Sequence, residues 1–128
     1  MNKTTCNLIS NIKNGQRSRK KSIIQKKSKF CQNILNVLWD EGFISGYRIL
    51  EKNNNFLEVF LKYYDNTPVI SNITNISKPN KSIYYSIKNI WKFDLKVGKL
   101  FLSTTNGILS VENCKKAKIG GKALFLIK

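Results

Sequence analysis

The side chains that most often move protons or hold metals are scarce in this sequence. There is no histidine, and the seven carboxylates, Asp40, Glu41, Glu51, Glu58, Asp65, Asp94 and Glu112, contain one adjacent pair, at the exposed end of a predicted helix. Without histidine, the commonest general base and metal ligand is missing. Cys6, Cys31 and Cys114 stand far apart and form no CxxC pair, so they offer no zinc site. Cys114 has no His to activate it as a nucleophile. Cys6 and Cys31 fall near apolar helical positions, where a reduced cysteine acts as a small hydrophobe and a disulfide scaffold is not implied. Neither GxxxxGK[ST] nor GxGxxG occurs, so phosphate chemistry has no anchor. The expectation is a protein without enzymatic activity, metal or cofactor.

A different chemistry is concentrated in Ser103-Thr104-Thr105-Asn106-Gly107. Three hydroxyl residues leading into an Asn-Gly turn put small donors and acceptors, and free backbone amides, at a hairpin tip. Such a tip can enter a narrow or distorted RNA groove and bond to bases, sugars and phosphates where a bulky side chain would clash. The same residues also suit a strand and a turn by propensity alone. Charge points the same way: 23 Lys+Arg against 7 Asp+Glu give a net charge of +16. That calls for a polyanion, because against phosphates such a chain releases condensed counterions. No run approaches the roughly 18 apolar residues of a membrane span, and the basic residues are spread over several elements. Nucleic acid is therefore the expected partner, and membrane is not.

The elements that must hold these groups follow from periodicity. Leu8, Ile9 and Ile12 predict a helix over 4–14, capped by Thr4 or Thr5 and stopped by Gly15. Ile23 and Ile24 read as a brief strand between two basic loops. Ser28 caps the strongest helix, with Phe30, Cys31, Ile34, Leu35 and Leu38 on one stripe and Gly42 at its end. Strands are predicted at 43–50 and 56–63 around an Asn53–Asn55 turn, completing an α-β-α-β-β half over 1–64. Asp65-Asn66-Thr67-Pro68 is read as the turn dividing this half from a β-rich one over 65–128, the two packing together. There, strands are expected at 69–77, where the Ile spacing is closer to helical, and at 83–87, with a turn at Pro79-Asn80. Residues 90–93 give no clear pattern. A hairpin over 100–111 turns at Asn106-Gly107, a short basic helix occupies 111–117, Gly120-Gly121 allows close backbone approach, and 123–127 is the last strand. The fold class is α+β: two small packed α/β halves, the second mostly antiparallel β with a short helix.

The flanks of the hairpin make it specific. Ser103-Thr104-Thr105-Asn106-Gly107-Ile108-Leu109-Ser110, then Lys115 and Ile119-Gly120-Gly121, resemble the C-terminal signature of the universal small-subunit ribosomal protein-eight family. The likeness continues through Ser77-Lys78-Pro79 and Ile83-Tyr84. It recurs in Ile12-Lys13-Asn14-Gly15, Ser28-Lys29, and the run Asn36-Val37-Leu38 to Glu41-Gly42-Phe43-Ile44, so nearly the whole chain is covered. The resemblance implies a structural constituent of the small ribosomal subunit that binds a helix of the central rRNA domain, supports assembly and translation, and meets neighbouring ribosomal proteins. It also implies that Ser103, Thr104, Thr105, Asn106 and Gly107 form the reading tip, with Tyr84 and Lys78 nearby and Lys13, Lys27, Ser28 and Lys29 facing the RNA backbone. Core packing remains open for Tyr84, and a generic solvated face for the lysines. Rival readings are an RNA-processing enzyme, disfavoured by the missing acid–base residues, and a non-ribosomal RNA chaperone.

The chain departs from the family where an acidic residue is usual: Val111, Lys122 and Asn7 stand at such positions, and Lys26 stands where the family has Pro. Each of the first three changes loses a negative charge or adds a positive one, which raises attraction to phosphate. Twenty Lys against three Arg, with sixteen each of Asn and Ile and two each of Ala and Pro, look like drift towards A- and T-rich codons. Such drift is common in organelle genomes and some reduced bacteria. Met1 leads quickly into a helical pattern that leaves no room for a targeting segment. Mitochondrial location is expected ahead of plastid.

Overall fold

A computed structural model describes residues 3–50, 52, 55–77, 81–93, 96 and 98–127, with the side chains of 3–5 left aside. The chain divides into two compact units, one over Lys3–Ser71 and one carrying Asn72–Lys128. The α+β class holds in both.

The first unit runs α1 (Lys3–Arg17), β1 (Ser22–Lys26), α2 (Lys29–Asp40), β2 (Ile44–Ile49), β3 (Phe56–Leu61), and a two-residue-per-strand hairpin of β4 (Tyr63–Tyr64) and β5 (Thr67–Pro68). β3 lies between β1 and β2 and is antiparallel to both. The outer strands are therefore parallel to each other, which explains why a helix-length crossover, α2, separates them. Alternation sets the layers: Leu57, Val59 and Leu61 of β3 are buried, as are Leu8, Ile9 and Ile12 of α1 and Cys31, Ile34, Leu35 and Leu38 of α2. Both helices pack on this sheet.

Two expectations need correction here. α1 does not stop at Gly15; it continues through it to Arg17. A Cβ at Gly15 would lie 2.7 Å from Ile23 Cγ2 and 2.8 Å from Leu61 Cδ1. The glycine therefore serves helix–sheet contact, and the left-handed residue after the helix is Arg19 (φ +56°). Second, Asp65 and Asn66 both adopt positive φ between β4 and β5, so the turn cluster closes a tight hairpin inside the first unit. Ser28 caps α2 as expected, its hydroxyl accepting the Cys31 N–H at 3.1 Å. The Asn53-Asn54 part of the predicted turn and Pro79-Asn80 lie outside the described residues.

The second unit contains β6 (Ile73–Asn75), β7 (Tyr84–Tyr85), α3 (Ile87–Lys92), β8 (Lys99–Thr104), β9 (Gly107–Ser110), α4 (Val111–Ala117) and β10 (Gly121–Ile127). The sheet order is β6-β10-β8-β9, with β7 also paired to β10. Leu100, Leu102 and Ala123 project to the side where Ile90 of α3 and Val111 and Cys114 of α4 form the buried core. Ser86 and Ser110 cap the two helices. The predicted strand at 83–87 is cut short, because Ser86 starts a helix that carries Ile87. Residues 90–93, unreadable from periodicity, are mostly that helix: six residues are too few to display a repeat. The long strand expected at 69–77 shrinks to three residues against the end of β10.

Candidate nucleic-acid interface

The hairpin tip is built by β8 and β9, which pair from Phe101–Ser110 to Thr104–Gly107. The chain turns over Thr105 and Asn106, and neither has a positive φ; the left-handed residue is Gly107 (φ +101°). This shifts by one residue the turn expected from Asn-Gly, whose usual two-residue form needs positive φ at both central positions. The β-branched Thr105 resists that geometry, and Thr104 supplies another. Its Oγ1 accepts the Asn106 N–H at 3.1 Å and donates to the Gly107 carbonyl at 2.7 Å. Thr104 is thus committed to holding the tip, whereas Thr105, Asn106 and Gly107 are exposed and Ser103 is half-buried.

Register extends the tip into a row. Lys122 of β10 pairs with Tyr84 of β7 on one side and Ser103 of β8 on the other. Residues opposite one another in a ladder project to the same face, about 4.5–5.5 Å apart between Cα atoms. An aromatic ring, an ammonium and a hydroxyl therefore stand side by side next to the turn. Tyr84 is 68% exposed, so its ring does not pack in a core.

Two devices set the spacing of this row. The Gly120-Gly121 pair lets β10 enter between its neighbours. A Cβ at Gly120 would lie 2.5 Å from the Tyr85 carbonyl oxygen, and one at Gly121 would lie 2.5 Å from the Ser103 carbonyl oxygen. The close approach read from sequence thus has two specific targets. The second device is Ser77, fully buried, whose hydroxyl donates to the Ala123 carbonyl and accepts the Ile83 N–H at 3.0 Å. It ties the segment entering β7 to β10. Lys78, expected beside the tip, lies outside the described residues.

The remaining predicted contacts belong to the first unit. Lys27 and Lys29 are exposed on either side of Ser28 at the start of α2, and Lys13 is half-buried on α1. The Lys27 N–H is held by the Asn55 carbonyl at 2.7 Å. Ser28 uses its hydroxyl oxygen for the helix cap, while the helix dipole adds partial positive charge at that end. No acidic residue occupies the first turn of α2 to cancel it.

Little else in the described residues suggests chemistry. Glu58 is bound by Arg48 Nε at 2.8 Å and Ser22 Oγ at 2.9 Å, and the Arg48 hydrogen bond, helped by Ser22, holds its carboxyl below the usual range. Burial pushes the Cys31 and Cys114 thiols up, which keeps them protonated and unreactive at neutral pH. Among the described residues, no three His, Cys, Asp or Glu side chains converge on a metal site, and no helix is long and apolar enough to cross a membrane. Two features escaped the sequence reading. Lys122 registered only as a departure from a family pattern, since its place between Tyr84 and Ser103 depends on strand register. Trp91 of α3, with Lys115 Nζ 5.6 Å from its ring centroid, fell in the stretch without periodicity.

Comparison with known proteins bears on this geometry. The family described as ribosomal protein S8 matches residues 4–127. Small ribosomal subunit protein uS8 of Ehrlichia chaffeensis is 42% identical over 120 residues, covering 92% of this chain and 91% of the relative. The Rhodopseudomonas palustris protein of the same name is 38% identical over 122 residues, covering 94% and 92%. That of Caulobacter vibrioides is 36% identical over 126 residues, covering 97% and 96%.

Proposed function

Because the chain belongs to the ribosomal protein S8 family, we propose that the Tyr84–Lys122–Ser103 row and the tip at Thr105 to Gly107 read an irregular helix of the central domain of small-subunit rRNA. The protein is a structural constituent of the small ribosomal subunit and not an enzyme. The observation that carries the reading is the row itself: a ring to stack, an ammonium for phosphate and a hydroxyl for base or sugar edges, fixed on three paired strands. Phosphate contacts position a protein on RNA, while groups that reach bases select the site. Lys13, Lys27 and Lys29 supply the first kind, Ser103, Thr105 and Asn106 the second, and Thr104 and Ser28 hold the backbone from which they act.

The test is a pair of binding curves, one on a central-domain rRNA fragment and one on unrelated RNA of equal length. Ser103→Ala with Thr105→Ala should weaken the first by roughly tenfold or more, as expected for about 1–1.5 kcal/mol per lost hydrogen bond, and barely alter the second. Equal loss on both would deny the tip any part in selection. We further propose that the ribosome concerned is mitochondrial. The extreme use of Lys, Asn and Ile supports an A- and T-rich organelle gene. Mapping the gene to a bacterial chromosome or a plastid genome would refute this.

A further inference from the structure

Ile87 and Trp91 stand four residues apart on α3 and so share one face of that helix. Both meet solvent, at 43% and 58% exposure. The ground beneath them is firm: Ile90 is buried with Val111 and Cys114 of α4, and the Ser86 hydroxyl caps the first turn. The indole is also oriented from α4, where Lys115 Nζ lies 5.6 Å from its ring centroid in a cation–π contact. Lys88 and Lys92 are exposed on α3, and Lys116 on α4; the one carboxylate in the two helices is Glu112.

An exposed flat ring with one ammonium against it and further exposed lysines on the same two helices suits a ligand that is both planar and densely anionic. An acidic peptide matches the charge but offers no face for the indole. A base-paired helix matches the charge, but its base faces are covered by their neighbours. An unpaired nucleotide matches both, its base stacking on the ring while the adjoining phosphates meet the lysines. We propose that Ile87 and Trp91, with Lys88, Lys92 and Lys115, form a stacking platform for an unpaired RNA nucleotide. The platform belongs to the helix layer. It therefore lies on the opposite side of the sheet from Ser103 and Lys122, which follow and precede the core-facing Leu102 and Ala123. It rests on RNA as the partner but not on which helix the hairpin tip selects.

The experiment uses the full chain with Trp39→Phe, which leaves Trp91 as the single tryptophan, since the sequence has 2. A short single-stranded oligoadenylate should quench Trp91 emission saturably, whereas a duplex of equal length and an oligoglutamate peptide should not. Trp91→Ala should weaken oligoadenylate binding roughly tenfold, measured by anisotropy of the labelled strand. Trp91→Phe should recover part of the loss, and circular dichroism should show the fold intact. Quenching should persist in the Ser103→Ala, Thr105→Ala background, so failure of the tip reading and failure of the platform are separable. Equal quenching by duplex would reduce the surface to charge alone, and equal quenching by oligoglutamate would point to a protein partner. Either result, or a Trp91→Ala loss under about twofold, would overturn the platform.

Discussion

The hairpin tip of the second unit and the start of α2 in the first both carry groups suited to RNA, but they are built in opposite ways. Around the tip, the backbone is over-determined. Thr104 closes the turn through two hydrogen bonds, Gly120 and Gly121 admit strands at distances no Cβ would tolerate, and Ser77 bridges two segments from a buried position. At α2 one cap, from Ser28, fixes the helix, and Lys27 and Lys29 then extend from it on four-carbon stems into solvent. On the proposed reading, the first construction holds different chemistries in a set order to discriminate among RNA surfaces. The second offers mobile point charge, which raises affinity for any phosphate backbone.

That contrast can be broken most forcefully at Gly121. Gly121→Ala drives a methyl against the Ser103 carbonyl and should cost about 3 kcal/mol of stability, read as a fall in denaturation midpoint. The damage should fall on target RNA selectively, since the row is what shifts. Next is Ser77→Ala, which removes the hydroxyl that serves the Ile83 N–H and the Ala123 carbonyl. It should cost about 1–3 kcal/mol in urea unfolding and weaken target binding in proportion to the misplacement of Tyr84. A loss confined to stability, with target affinity unchanged in the folded fraction, would detach Ser77 from the site.

The α2 lysines should behave otherwise. Lys27→Ala with Lys29→Ala should leave unfolding within about 0.5 kcal/mol of the parent. The same double change should flatten the plot of log affinity against log salt by roughly one to two units, equally on target and unrelated RNA. A selective loss here would erase the distinction between the two regions. The smallest effect concerns Glu58, whose carboxyl is held low by Arg48. A depressed native pKa means stability that is present above the unfolded carboxylate range and lost as pH falls through the native value. Acid titration of unfolding should therefore show a step that Glu58→Gln removes. RNA binding at neutral pH should not change between the two proteins.

Much of this architecture was legible beforehand where a pattern is long or a contact is local. The α2 stripe, the Ser28 cap, the alternation in β3 and the Gly-Gly approach all follow from spacing and backbone sterics within a few residues. Legibility failed where a distant partner decides, where one side-chain hydrogen bond outweighs a motif, or where an element is too short to show a period. Gly15 carries a stop signal, but Ile23 and Leu61 require its missing side chain within a continuing helix. Asn106-Gly107 signals a turn, yet the hydroxyl of Thr104 moves that turn one residue earlier. α3 is too short to display a period, and its identity comes from the Ser86 cap and from packing against α4.

The sequence by itself determined the sign and scale of the partner's charge, the lack of acid–base chemistry, and the residues of the tip, because composition and contiguous motifs need no coordinates. Only the tertiary structure decided that Lys122 stands between Tyr84 and Ser103, that Thr104 serves the turn, and that Trp91 lies open beside Lys115. The reason is physical. Strand register and helix packing are settled by burying apolar surface between residues distant in the chain, and moving a strand by one position sends every side chain on it to the other face.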